Sequence, residues 1–232
     1  MNIDKQNESV MAIIPARGGS KGILKKNICL LAGKPLLVYT IEAALNSTVV
    51  SKVVVSTDAE DIAEVASSCG VEVIHRPDHL AEDSSLTVPV LKHALQEMGN
   101  KYSPDKVVTL QPTSPLRLGT HIDEAVGLLT RDWDAVISVS DVEQTPYKMY
   151  YLKGEKLHPF VEGVPQGGPR QKLPKVYRDS GAIYVTWYDV LMEKDSVWGD
   201  NYRSYYLAPE YAVDIDVSID LKLAETILGD KK

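Results

Sequence analysis

Residues 10–139 alternate short β-branched runs with segments of helical periodicity, and this alternation limits the folds that the chain can adopt. Five runs have the composition of buried strands, separated by patterns that repeat apolar residues at helical spacing. The predicted strands are Val10–Ile14, Lys52–Ser56, Val71–Ile74, Lys106–Leu110 and Ala135–Val139. Strands joined by helices run parallel through right-handed crossovers. The sequence therefore predicts a three-layer α/β/α, Rossmann-like domain with a mainly parallel sheet.

The helical patterns fall between these strands and at the end of the chain. Helices are predicted over Pro35–Leu45, from Asp58 to Cys69, over Leu86–Met98, around Ile122–Leu129 and over Ser218–Leu228. Asp58 and Thr120 precede two of these patterns and are candidate N-caps, because their side-chain oxygens can accept hydrogen bonds from free N–H groups.

The alternation stops after Ser140. The stretch from Glu143 to Tyr177 is rich in Pro, Gly, Gln and Tyr and has no helical period, and a strand pattern returns only at Ala182–Thr186. We interpret residues 141–180 as an inserted arm, in the form of a hairpin. A chain of 232 residues is suited to one domain, so residues 1–232 are assigned to a single domain carrying this insertion.

Composition excludes several classes of function. The net charge of -7 disfavours a general nucleic-acid binder, although a few local cations can still bind one nucleotide. Two cysteines, Cys29 and Cys69, make neither a disulfide framework nor a metal cluster. The first nine residues lack the features of a signal peptide, and no stretch is apolar enough to span a bilayer. We therefore expect a cytoplasmic protein with no nucleic-acid or membrane partner.

The segment after the first predicted strand, residues 15–27, combines flexible backbone with positive charge. Its glycines are Gly18, Gly19 and Gly22, and its cations are Arg17, Lys21, Lys25 and Lys26. Ligands of open parallel sheets bind at the carboxyl ends of the strands, and glycines let backbone N–H groups approach anionic oxygens. The segment fits neither the P-loop nor the G-x-G-x-x-G pattern. It predicts a phosphate site, with a solvated basic turn as the alternative.

Seven segments in order resemble the CMP-sialic acid synthetase family of cytidylyltransferases, which includes CMP-legionaminic acid synthetases. They begin at Ile13 (IIPARGGSKG, continued by Lys26-Asn27), Ser56 (STD), His75 (HRP), Leu110 (LQPTSPLR), Pro169 (PRQ), Ser180 (SGAIY) and Asp214 (DID). Together they extend over nearly the whole chain. The resemblance implies a homodimer, with residues 141–180 as the dimerisation arm.

The resemblance also assigns roles to individual residues. CTP would be bound by Ala16, Arg17, Gly18, Lys21, Lys26, Asn27 and Arg76, and the sugar by Gln111, Arg170, Gln171 and Ser180. Arg17, Lys21 and Asp216 would be catalytic. For Arg117, a structural ion pair and a ligand contact are equally open. The family usually has Asn where this chain has Ser180, which leaves the identity of the sugar open.

Asp214 and Asp216 alternate on an extended segment, so their side chains should face the same way. Two such carboxylates repel each other unless a cation lies between them, and Mg²⁺ prefers carboxylate and phosphate oxygens. Spacing alone favours capping of the final helix instead, whereas the resemblance favours a Mg²⁺ site made of Asp214 and Asp216.

The reaction implied by the resemblance joins CTP to a nine-carbon acidic sugar, giving a CMP-sugar and pyrophosphate. The sugar could be sialic acid or a bacterial relative such as legionaminic or pseudaminic acid. An alternative substrate is the eight-carbon keto-acid of lipopolysaccharide. A non-catalytic nucleotide-binding partner is a further alternative, which the presence of Lys21, Asp214 and Asp216 disfavours.

Overall fold

The structure is a computed structural model that describes residues 8–163 and 169–230, apart from the side chains of Asn100 and Arg170. Eleven strands lie in this part of the chain: β1 (Val10–Pro15), β2 (Leu30–Leu31), β3 (Lys34–Pro35), β4 (Lys52–Thr57), β5 (Glu72–His75), β6 (Lys106–Thr109), β7 (Ala135–Asp141), β8 (Tyr150–Lys153), β9 (Lys156–Pro159), β10 (Tyr177–Trp187) and β11 (Tyr202–Tyr206). The α-helices are α1 (Leu36–Leu45), α2 (Glu60–Ser68), α3 (Thr87–Met98), α4 (Gly119–Leu128), α5 (Tyr188–Lys194) and α6 (Ser218–Asp230).

Seven strands form the central sheet in the order β11-β7-β10-β6-β1-β4-β5. The pairs among β6, β1, β4 and β5 are parallel, as is the pair of β11 with β7. β10 is antiparallel to both β6 and β7. The chain reaches β10 through residues 141–176 and not through a crossover helix. The rule that strands joined by a crossover helix run parallel therefore does not apply to β10. The prediction of a mainly parallel α/β sheet is confirmed.

The sheet buries both faces under helices, which explains why its central strands are apolar without alternation. In β1, Ala12 and Ile14 join a core with α1, α2 and α4. Met11 and Ile13 point to the opposite face, where they meet residues of α3 and α5. The three predicted layers follow from this division of one strand between two cores.

The five strands predicted within residues 10–139 and the five predicted helices are all present, with ends shifted by at most a few residues, and the strand pattern at Ala182–Thr186 belongs to β10. The sequence does not predict β2, β3, α5 or β11. Both predicted N-caps are wrong. Ala59 precedes α2, while the Asp58 carboxylate accepts from Gly18 N instead. α4 begins at Gly119, and its first turn is closed by Leu118 N donating to His121 Nδ1.

The interruption predicted after Ser140 contains a two-stranded hairpin of β8 and β9, separate from the main sheet. Its side chains are largely exposed, with Leu152 at 71% and Leu157 at 64%. In residues 8–163 and 169–230, no helix combines the length and the apolar character that crossing a bilayer demands.

Candidate active site

A cleft of about 550 Å³ opens at the carboxyl ends of β1, β5 and β6. Eight residues predicted from sequence line it: Arg17, Lys21, Lys26, Asn27, Arg76, Gln111, Asp214 and Asp216. Parallel strands bring their carboxyl-terminal loops to one edge of the sheet, and this is why residues so distant in sequence meet. The cleft also contains Glu82 and Asp83, which the sequence analysis did not identify.

The loop after β1 is held in place by hydrogen bonds to the side chains of Asp58 and Asn27. Gly18 N donates to Asp58 Oδ1 over 3.1 Å, and Asn27 Nδ2 donates to Arg17 O over 2.8 Å. Ala16 is fully buried, and its N–H donates to Ser56 O. Neither residue is among those that line the cleft, and the N–H groups of both are engaged within the protein. The assignment of Ala16 and Gly18 to CTP binding stays a prediction.

Arg17 and Lys21 extend from this loop to one shared carboxylate. Arg17 Nη1 lies 2.8 Å from Asp83 Oδ1 and also donates to Glu82 O, while Lys21 Nζ lies 2.6 Å from Asp83 Oδ2. The hydrogen bond from Lys21, together with the charge of Arg17, lowers the pKa of Asp83. The carboxylate therefore keeps its charge over a wide range of pH. Asp83 could have been suspected from its place in the loop that follows a parallel strand.

Arg76 also lines the cleft and is almost entirely buried. Its Nη2 is 3.4 Å from Asp58 Oδ1, and its Nε is buried with no partner among the described residues. Burial lowers the pKa of this guanidinium, while Asp58 favours the charged form. A buried cation with an unpartnered donor in a cleft is suited to an acceptor group of a ligand.

Asp214 and Asp216 enter the cleft from the segment that precedes α6. Asp214 is partly buried, and its Oδ1 has no partner among the described residues. Asp216 is exposed and pairs with Lys26, whose Nζ lies 2.9 Å from Oδ1. Burial raises the pKa of Asp214 and the charge of Asp216 raises it further, against lowering by Thr113 and Lys26. The negative charge of Asp216 thus disfavours ionisation of Asp214, and both side chains line the same cleft.

These two carboxylates fit a hard divalent cation. One of them offers a buried, unpartnered oxygen, and a cation between them would relieve their repulsion. Within residues 8–163 and 169–230, no three His, Cys, Asp or Glu side chains are grouped as a metal site. A metal at this position would therefore need further oxygen ligands from phosphate or water, as Mg²⁺ commonly has. Spacing alone favours a capping role at the start of the final helix instead. In the structure the carboxylate that accepts hydrogen bonds there is that of Asp220, whose Oδ2 accepts from the N–H groups of Asp216 and Val217.

The raised pKa of Asp214 can be tested without metal or substrate. We expect the Asp214 carboxyl to titrate above the ordinary range of about 3.9 and to move downward in Asp216→Asn, because that substitution removes a neighbouring negative charge. Carbon-13 NMR of labelled aspartate carboxyls would follow both titrations in metal-free buffer. An unchanged Asp214 pKa in the variant would contradict the proximity of the two groups.

Gly22 sets the distance between the loop after β1 and the carboxylate segment. A Cβ at this position would lie 2.3 Å from Asp216 O, a contact that backbone atoms cannot accommodate without moving. We expect Gly22→Ala to lower kcat/KM about a hundredfold, since small displacements of catalytic groups have effects of this size. The matched control is Gly19→Ala on the same loop, where a Cβ would meet nothing within 4 Å. Equal losses in the two variants would refute this explanation.

Gln111 lies in the cleft as predicted, but Ser180 does not. The Ser180 side chain is 1% exposed, and its hydroxyl is shared with Ser138 Oγ over 2.6 Å. The assignment of Ser180 to sugar binding is corrected, because this hydroxyl is enclosed in the β7–β10 ladder. Gly181 borders the cleft instead: a Cβ there would lie 3.2 Å from Gln111 Oε1 and 3.8 Å from Asp214 Oδ2.

For Arg117 the sequence leaves open a structural ion pair or a ligand contact, and the structure shows a buried residue behind the cleft lining. The residue is 1% exposed and donates to Ala182 O and Thr40 Oγ1, each over 2.9 Å, and to Gln111 O. Burial lowers the pKa of its guanidinium to about 9, while the charge of Asp214 favours the charged form. Arg117 thus joins the segments that carry Gln111 and Gly181, and it offers no exposed surface to a ligand.

Two of the predicted sugar ligands, Arg170 and Gln171, belong to the arm. Gln171 is exposed and lines a separate cavity with Asp141, Thr145 and residues 173–176. The side chain of Arg170 lies outside the described residues. The structure therefore does not bring Gln171 to the phosphate loop within one chain, and the assignment of Arg170 and Gln171 to sugar binding stays a prediction.

The layered fold and the cleft define the class of Rossmann-like α/β proteins with a ligand site at the carboxyl edge of the sheet. Within this class, a family model described as cytidylyltransferase matches residues 11–145, more than half of the chain. The chain belongs to the cytidylyltransferase family. Its fold is similar to that of the CMP:2-keto-3-deoxy-manno-octonic acid synthetase solved with CTP, with a TM-score of 0.72 at 18% identity over 97% of this chain and 100% of that chain.

Two curated relatives show the range of similarity. The chain is 34% identical to the CMP-N,N'-diacetyllegionaminic acid synthase of Legionella pneumophila, over 94% of this chain and 96% of that protein. It is 36% identical to the N-acylneuraminate cytidylyltransferase of Escherichia coli, over 94% of this chain but 52% of that protein. The chain thus spans about half the length of the N-acylneuraminate cytidylyltransferases that it matches.

Proposed function

We propose that this protein transfers CMP from CTP to a nonulosonic acid, with release of pyrophosphate. The observation that carries the proposal is the convergence of eight predicted residues on one cleft, with cations from the loop after β1 facing the carboxylates that precede α6. A triphosphate needs the cations, and a phosphate-bound divalent ion needs the carboxylates. The names of the relatives support the choice of a CMP-sugar as product.

In this proposal the chain's own residues position and neutralise the reacting groups. Arg17 and Lys21 stabilise the negative charge that gathers on the departing pyrophosphate, and Lys26 and Asn27 hold the loop beside them. Mg²⁺ held by Asp214 and Asp216 would supply charge neutralisation at the phosphate oxygens. Gln111 can both donate to and accept from sugar hydroxyls.

A legionaminic acid derivative is the first sugar to test. The relatives that match over nearly their full length, at 95–96%, include two CMP-N,N'-diacetyllegionaminic acid synthases, whereas the N-acylneuraminate cytidylyltransferases match over about half. Sialic and pseudaminic acids remain alternatives of the same class. The eight-carbon keto-acid also remains an alternative. The structural similarity to its synthetase does not favour it, because at 18% identity that similarity supports the fold alone.

Pyrophosphate release tests the proposal directly. The assay combines the protein with CTP, Mg²⁺ and, in separate reactions, legionaminic, sialic, pseudaminic and eight-carbon acids. We expect release with one of the nine-carbon acids and none with UTP or ATP in place of CTP. CTP binding without pyrophosphate release in the presence of any of the sugars would favour the non-catalytic partner. Turnover of the eight-carbon acid alone would replace the proposed substrate.

We further propose a homodimer that uses the hairpin of β8 and β9, in the cytoplasm, where CTP is available. Leu152 and Leu157 are paired across the hairpin and exposed on it. We expect the double substitution Leu152→Ser with Leu157→Ser to raise the dimer dissociation constant at least about a hundredfold. The reason is that each protomer would lose two leucines that the proposed dimer buries. Light scattering after size exclusion measures this. The control replaces the neighbouring Lys153 and Lys156 with Ser, and dissociation in both variants, or in neither, would contradict the proposed interface.

A further inference from the structure

One carboxylate, that of Asp83, forms ion pairs with both Arg17 and Lys21, the two cations on which the proposed function depends most. Asp83 places Oδ1 2.8 Å from Arg17 Nη1 and Oδ2 2.6 Å from Lys21 Nζ, so each of its oxygens holds a different cation. This is the manner in which two oxygens of a phosphate group would bridge them, because carboxylate and phosphate accept the same charge-assisted hydrogen bonds. Asp83 and both cations line the same cleft.

The loop that carries Asp83 is fastened to the cleft by these same cations. It joins β5 to α3, and it is braced internally by Ser85 N donating to Glu82 O and Ser85 Oγ donating to His79 O. Arg17 Nη1 additionally donates to Glu82 O over 3.1 Å. A triphosphate on Arg17 and Lys21 would meet a negative charge already in place, and like charges in one site raise each other's free energy.

We propose that Asp83 is an internal anion that neutralises Arg17 and Lys21 in the free cleft and competes with phosphate groups for them. The inference rests on the proposed function, since it takes the phosphate chain of CTP as the competing ligand. Nucleotide binding then exchanges the Asp83 contacts for phosphate contacts, and departure of pyrophosphate allows Asp83 to return. Asp83 thereby weakens the hold of the cleft on the pyrophosphate product as well as on CTP.

The exposure of the three side chains limits the expected effect to a moderate one. Lys21 is 79% exposed and Asp83 46% exposed, so solvent screens their attraction. Removing the charge of Asp83 should therefore tighten phosphate binding about three- to tenfold rather than by orders of magnitude. Such an effect suits product release, where binding pyrophosphate too tightly would slow turnover.

The test compares Asp83→Asn with wild type by isothermal titration calorimetry, using CTP and, separately, inorganic pyrophosphate at low ionic strength with EDTA. Asn keeps the size of the side chain but removes the charge. The matched control is Asp78→Asn on the same loop, an exposed residue outside the cleft lining that changes the net charge equally. We expect three- to tenfold lower Kd values for both ligands in Asp83→Asn and unchanged values in Asp78→Asn.

Each alternative result has a defined meaning. Unchanged or weaker binding of both ligands by Asp83→Asn would overturn the inference, because Asp83 would then order the cations rather than compete for them. Equal tightening in the Asp78→Asn control would also overturn it, by showing an effect of net charge alone. If Asp83→Asn binds pyrophosphate more tightly but no variant binds CTP, the role of Asp83 as an internal anion would stand, and CTP as the nucleotide would be refuted. Binding of neither ligand by any variant, in EDTA and again with Mg²⁺, would refute both the internal anion and the proposed function.

Discussion

Replacing Asp214 with Asn is expected to reduce kcat/KM for pyrophosphate release about a thousandfold, the loss that follows when a metal carboxylate supplying several kcal/mol of charge stabilisation is removed. Asp214 is the proposed ligand whose Oδ1 is buried and has no partner among the described residues, whereas Asp216 is exposed and already paired with Lys26. Asn keeps the shape of the side chain, but it provides a neutral oxygen in place of a charged one. The proposed site thus depends more on Asp214 than on any other single carboxylate.

The measurement is the steady-state rate of pyrophosphate release over a range of Mg²⁺ concentrations, together with a urea unfolding curve for each variant. Asp200→Asn is the control, because Asp200 is a highly exposed aspartate paired with Lys194 and does not line the cleft. We expect this control to retain wild-type kinetics. An Asp214→Asn variant that folds and retains more than a tenth of wild-type kcat/KM would contradict the role given to Asp214.

Replacing Arg117 with Lys is expected to lower the free energy of unfolding by about 3 kcal/mol, because a buried set of hydrogen bonds loses its donor. The guanidinium donates to Ala182 O, Thr40 Oγ1 and Gln111 O through three different nitrogens. One ammonium group cannot reach all three, and any acceptor left without a donor is buried away from water. The same substitution should displace Gln111 and so raise the KM for the sugar.

Urea denaturation followed by circular dichroism measures the stability, and the matched control is Arg203→Lys. Arg203 is exposed on β11, so its substitution should change the free energy of unfolding by no more than about 0.5 kcal/mol. A loss of similar size in the two variants would show that Arg117 has no special structural weight. If Arg117→Lys keeps the stability of the wild type and its KM for the sugar, Arg117 neither stabilises the fold nor positions Gln111.

Much of the cleft could be predicted from sequence because its residues follow strands. Arg17, Lys21 and Asn27 come after β1, Arg76 after β5 and Gln111 after β6, so their shared edge follows from parallel pairing alone. The resemblance places Ser180 with the sugar, but a motif match does not show which side of an irregular strand is enclosed. β10 changes register between Asp179 and Tyr184, and this irregularity turns the Ser180 hydroxyl to Ser138 and leaves Gly181 at the cleft.

The sequence by itself determined the layers of the fold, the position of the phosphate loop and the likeness to cytidylyltransferases, because these depend on local periodicity and on the spacing of glycines and charges. The tertiary structure alone decided the pairing of Asp83 with Arg17 and Lys21, the burial of Arg117 and the close approach of Gly22 to Asp216. Each of these joins residues far apart in the chain. Such contacts depend on how loops of different strands are packed at one edge, and no local pattern records that packing.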